Sequence, residues 1–131
     1  MVNFRALAFT MCLSAGAVVG LPAYADALPE KGPNGGILRE SGEHHIELLV
    51  MGQNLTVHLL DHKNKATSEA DVTAKAMLTI GAAKETITLT AKSNSMFVGT
   101  SKLPATGPLQ VDVELTAPNE PPLLASFSVV R

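Results

Sequence analysis

Tryptophan is absent from this chain of 131 residues, and cysteine and tyrosine occur once each. Both single residues, Cys12 and Tyr24, fall in an N-terminal stretch that reads as a secretory leader. Arg5 supplies its positive start, Ala6 to Leu21 its apolar run, and Ala23-Tyr24-Ala25 a small-x-small cleavage site. Cleavage after Ala25 leaves a domain that begins at Asp26 and has no thiol, which excludes disulfides, thiolate metal ligands and a cysteine nucleophile. Phe9-Thr10-Met11 before Cys12 lacks the Leu-Ser/Ala-Gly/Ala pattern of a bacterial lipoprotein, so no lipid anchor is expected. The apolar run is short and rich in Gly, Ala and Ser, whereas a membrane span needs about 20 strongly apolar residues. A soluble periplasmic protein is the expectation.

A surplus of basic residues is also missing. Ten Lys and Arg stand against twelve Asp and Glu, a formal charge of −2 that becomes more negative once Arg5 is lost. Nucleic acid and anionic membrane, which need a basic surface, are poor partners for such a chain. Catalytic patterns are scarce as well. Ser41, His45 and Asp61 form a triad only on paper, with no nucleophile elbow, and Gly35-Gly36 is followed by no Lys-Ser/Thr that would make a phosphate loop. Asp112 and Glu114 alternate along one strand and read as solvating residues. Catalysis is not expected.

What the chain does have is short, two-fold alternation. Leu109 to Leu115 alternates apolar and polar without a break, and Thr86 to Thr90 repeats this with β-branched residues. Similar runs occur at Gly36 to Glu40, His44 to Met51, Leu55 to Asp61, Ala74 to Ile80, Met96 to Ser101 and Leu123 to Val130. Turn signals separate them: Ser41-Gly42, Gly52-Gln53, Lys63-Asn64-Lys65, Gly81, Pro104 to Pro108, and the three prolines of Ala117 to Pro122. Seven or eight strands at this spacing predict an all-β, immunoglobulin-like antiparallel sandwich over 36–131, preceded by a signal peptide over 1–25 and an extended arm over 26–35. Phe97 and Phe127 are the two large anchors of its expected core. Thr67 to Ala83, rich in alanine, is the one helical competitor, and Val72-Thr73 and Thr79-Ile80-Gly81 fit a helix poorly.

All four histidines, His44, His45, His58 and His62, lie between positions 44 and 62. Imidazole is the commonest neutral metal ligand, so the cluster points to a divalent ion. Burying Ile46, Leu48 and Val50 together with Leu55, Val57 and Leu59 fixes the parity of the hairpin around Gly52-Gln53. Met51 then pairs with Asn54, Leu49 with Thr56, Glu47 with His58 and His45 with Leu60. His45, Glu47, His58 and His62 share the opposite face, and His44 turns inward at the strand's edge. Opposed Cβ atoms about 5 Å apart let His45, Glu47 and His58 share one ion, with Glu47 as third ligand or as orienter of His58. His62 is about 13 Å farther along the strand. The same residues also suit a cross-strand polar pair on the surface, or contact with a partner.

Gly32-Pro33-Asn34-Gly35-Gly36-Ile37-Leu38, then Gly42, His44-His45-Ile46-Glu47-Leu48 and Leu55 to Asp61, resembles a small β-sandwich domain of bacterial periplasmic proteins. The Gly-Pro-Asn/His-Gly-Gly opening is similar to that of periplasmic adaptor subunits of heavy-metal efflux pumps of the resistance-nodulation-division type, and of stand-alone exported proteins. The resemblance implies metal binding or heavy-metal resistance in the periplasm, with a periplasmic efflux component as partner. Those adaptors also carry long helical hairpins and further domains that cannot fit here, and Lys31 stands where many relatives have a histidine. Gly35-Gly36 has in addition a structural reading, a tight start to the first strand with positive φ. Two functions therefore remain open: a soluble periplasmic protein that handles copper, zinc or nickel through imidazole and carboxylate, and a metal-free accessory module that binds another envelope protein.

Overall fold

The computed structural model describes residues 30–131; the expected signal peptide, with Cys12 and its cleavage site, and the first part of the expected arm lie outside the described residues. The described chain is all-β and has no helix among the described residues. Nine strands run in order: β1 (Glu30–Lys31), β2 (Ile37–Ser41), β3 (His44–Met51), β4 (Asn54–Asp61), β5 (Thr73–Ile80), β6 (Ala83–Ser93), β7 (Met96–Thr100), β8 (Pro108–Thr116) and β9 (Leu123–Val130). All pairings are antiparallel, in the order β1-β2-β3-β4-β7-β6-β5-β8-β9.

The sheet is curled, and β6 makes the turn. Its first part, Ala83–Leu89, pairs with β5, and its last part, Thr90–Ser93, pairs with β7 through a bulge between Ala91 and Ser93. A bulge bends its strand and raises the local twist, which lets one strand serve both halves of the sheet. The two ends then approach each other where β2 meets β9. No backbone ladder joins these two strands; Leu124 N–H donates to Ser41 Oγ at 3.0 Å, and the Arg39 guanidinium lies 5.8 Å from the centre of the Phe127 ring. The strands β5 to β8 form a Greek key, since β8 returns beside β5 after the β5-β6-β7 meander.

Alternation decides which residues fill the interior. Leu109, Val111, Val113 and Leu115 of β8 are buried while Asp112 and Glu114 face water. Ile46 and Leu48 meet Leu55, Val57 and Leu59 from the neighbouring strand, and Phe97 and Phe127 are buried at 1% and 0% exposure. Each such side chain contributes roughly 1.5–3 kcal/mol by leaving water. The alanine-rich stretch is a strand because Ala74, Ala76 and Leu78 alternate inward against Lys75 and Met77, and because β6 and β8 pair it on both sides. Tertiary pairing overrides alanine's helical preference here.

The hairpin register is the one expected. Met51 pairs with Asn54, Leu49 with Thr56, Glu47 with His58 and His45 with Leu60, across a turn that opens with Gly52 at φ 61°. The described part of the expected extended arm is paired. Glu30 and Lys31 pair with Leu38 and Ile37, so this part of the arm is the edge strand β1, and residues 32–36 fold into a tight loop closed by Gly35 N–H to Gly32 O and Gly32 N–H to Gly36 O. We call residues 30–36 the strap.

Candidate functional site

Glu47 is the most unusual residue of the β3–β4 hairpin. It is 0% exposed, although it lies on the face opposite the Ile/Leu/Val set. Its Oε1 accepts the Asn34 and Gly36 N–H groups at 2.9 and 2.8 Å, and its Oε2 accepts Asn34 Nδ2 at 2.8 Å. The strap is thus wrapped on this carboxylate. Gly32 leaves the room for it: a Cβ there would fall 2.3 Å from Glu47 Cδ. Gly36 has a similar reason, since a Cβ would fall 2.5 Å from the Leu48 carbonyl oxygen; of the glycine pair, only Gly35, at φ 85°, needs its positive φ.

The structure gives Glu47 partners that the hairpin pattern does not name: both of its oxygens accept from the strap, while His58 lies directly opposite it on β4, as expected. Among the described residues no group of three or more His, Cys, Asp or Glu side chains is arranged to hold a metal ion. His58 is half-buried and His62 exposed in the loop after β4; none of the hydrogen bonds among the described residues reaches either ring.

The structure brings polar partners to His44 and His45 instead. They are consecutive on β3, so their rings leave on opposite faces. His44 Nε2 lies 2.9 Å from Glu69 Oε1. A carboxylate oxygen only accepts, so His44 carries its proton on Nε2. His45 Nδ1 lies 2.6 Å from Asn64 Oδ1, an amide oxygen that only accepts, a contact that suits a proton on Nδ1, in the neutral Nδ1–H tautomer and in the imidazolium alike. Its other nitrogen, Nε2, lies 3.5 Å from Oε1 of Glu40, the residue directly paired with it on β2. The His45 side chain is 14% exposed and that of Glu40 81%.

Glu69 and Asn64 both belong to the loop between β4 and β5. Asp61 shapes its first turn: Oδ1 accepts Lys63 N–H at 2.8 Å and Lys65 N–H at 3.0 Å. The Lys65 N–H, first among several donors and positive neighbours, holds the Asp61 carboxyl below its ordinary value. Sequence reasoning missed Glu40, Asn64 and Glu69 as partners. Glu40 was legible, because extending the register argument across Gly42 pairs it with His45; the two loop residues carry no such signal.

Comparison with known protein families, curated proteins and solved structures returns no match. The chemistry of these side chains therefore has to carry the functional reading.

Proposed function

We propose that this chain is a periplasmic metal-handling protein, an immunoglobulin-like sandwich that takes one divalent transition-metal ion, copper, zinc or nickel, at His45 and Glu40. The observation that carries the reading is the 3.5 Å approach of His45 Nε2 to Glu40 Oε1. With Nδ1 alone protonated, both facing atoms are acceptors, and two acceptors side by side are stabilised by a cation between them: a metal ion, or the second proton of an imidazolium, which makes the contact an ion pair. Two ligands at about 2.0–2.2 Å on a tetrahedral ion lie roughly 3.3–3.6 Å apart, a range that includes the spacing found. Two protein ligands leave open positions for water or for a ligand from an efflux component, which suits carrying an ion rather than building the fold around it. The resemblance of the Gly-Pro-Asn-Gly-Gly region to adaptors of heavy-metal efflux pumps agrees with this role.

Calorimetric titration of the purified protein with Cu(II), Zn(II) and Ni(II) tests the reading. We expect one ion per chain, loss of binding in His45→Ala, a large loss in Glu40→Gln, and little change in His58→Ala or His62→Ala. Binding weakens in acid, where protons compete with the ion for the imidazole. Absence of any binding below millimolar ion at neutral pH would falsify the proposal. The accessory-module reading then takes over, and the outward Met77 and Leu124, 45% and 60% exposed on β5 and β9, are the first residues to examine for contact with another envelope protein.

A further inference from the structure

Two neighbouring histidines are held by one loop through different ring nitrogens, His44 through Nε2 by Glu69 and His45 through Nδ1 by Asn64. We infer that Asn64 is the positioning residue of the site: it holds His45 in the Nδ1–H tautomer and so turns the Nε2 lone pair toward Glu40. The inference rests on the metal reading for its consequence, and on the loop geometry alone for the tautomer.

Asn64 is built to hold this position. It sits at φ 62°, a left-handed conformation that asparagine tolerates better than most residues. Its own N–H donates to Asp61 O at 3.0 Å, and Asp61 N–H donates to Lys65 O at 2.7 Å, so the backbone on both sides is tied to the end of β4. Farther on, Thr67 N–H donates to Leu59 O at 3.2 Å and Ala66 bridges to Leu60. The amide oxygen of Asn64 is therefore presented by an anchored turn, 2.6 Å from the ring it orients. Histidines that bind metals through one nitrogen usually donate the other N–H to an oxygen acceptor, which fixes the tautomer and raises ligand basicity. His45 has such an acceptor on Nδ1 and a carboxylate beside Nε2. His44 is held in the opposite tautomer, and its proton-bearing Nε2 is spent on Glu69. The loop thus sorts the pair into one ligand and one clasp.

Nitrogen-15 spectra of the neutral imidazoles in the metal-free protein, recorded at alkaline pH, read the tautomers directly. We expect Nδ1–H for His45 and Nε2–H for His44. Asn64→Gly removes the acceptor while suiting the positive φ, and circular dichroism confirms that it folds. In that variant His45 should lose its tautomer preference and the affinity for Zn(II) or Cu(II) should fall roughly 10- to 100-fold. Asn64→Asp keeps an acceptor oxygen and should restore the Nδ1–H signal. The inference is overturned if wild-type His45 carries its proton on Nε2, or if Asn64→Gly changes neither the tautomer nor the affinity. Should the wild type show the Nδ1–H tautomer and bind no ion, Asn64 still positions the ring and it is the metal role that falls.

Discussion

At the scale of single residues, the outcome at Glu47 turns on how much a buried carboxylate costs when its acceptors are left empty. Three donors from the strap satisfy it, and removing it strands the buried Gly36 N–H and unties Asn34 at the surface. Glu47→Ala is expected to lose about 3 kcal/mol in urea unfolding. Gly32→Ala, which drives a methyl into the same carboxylate, should lose about 1–3 kcal/mol, whereas Gly35→Ala meets no neighbour and loses only about 1 kcal/mol of φ strain. Two other carboxylates set the acid response. The Ser101 hydroxyl and then the Lys102 N–H lower Glu85, as the Lys65 N–H lowers Asp61. A carboxylate lowered in the folded state contributes stability that is whole above its unfolded value and disappears as pH falls through the folded one. The urea midpoint should therefore hold from neutral pH to about 5 and drop below about 4, and Glu85→Gln should flatten that drop.

Among the elements, the strap and the β4–β5 loop behave differently from the ladders they rest on. The strap makes only a two-residue pairing with β2, so its protection from solvent exchange depends on Glu47. In hydrogen-exchange measurements the Asn34 and Gly36 amides should be slow in the wild type and fast in Glu47→Ala, with the β3–β4 amides unchanged. Fast exchange at Gly36 in the wild type would count against the latch. The loop after β4 takes its shape from Asp61 and its attachment from backbone bonds to the end of β4, and it meets the consecutive imidazoles of β3 through Asn64 and Glu69.

At the scale of the whole molecule, the core is continuous between the two halves of the curled sheet, and Phe127 sits where its ends meet beneath Arg39. Phe127→Ala should cost about 3–5 kcal/mol, since the cavity it opens lies between strands that no ladder joins. Chemical unfolding followed by far-ultraviolet dichroism should show a β-rich protein losing that amount. Because β4 pairs with β7 and β5 with β8, many of the contacts are long-range, and refolding is expected in milliseconds to seconds rather than microseconds.

Local periodicity was enough to determine β2 to β9 and the pairing of β3 with β4, because alternation and a Gly-first turn are properties of neighbouring residues, but it did not show the short strand β1. Burial of Ile46, Leu48, Leu55, Val57 and Leu59 on one side allowed a single parity, and with it Glu47 opposite His58. Tertiary structure decided the rest. The hairpin pattern places Glu47 on a face that looks open to water, but the strap covers that face and takes the carboxylate as its anchor. Similarly, His45 found Asn64 and His44 found Glu69 because the loop after β4 folds back over the start of β3, whereas Glu40 meets His45 through the β2–β3 register. Alternation tells a side chain which face it belongs to; which acceptor it meets there is settled by the path of the chain that closes over that face.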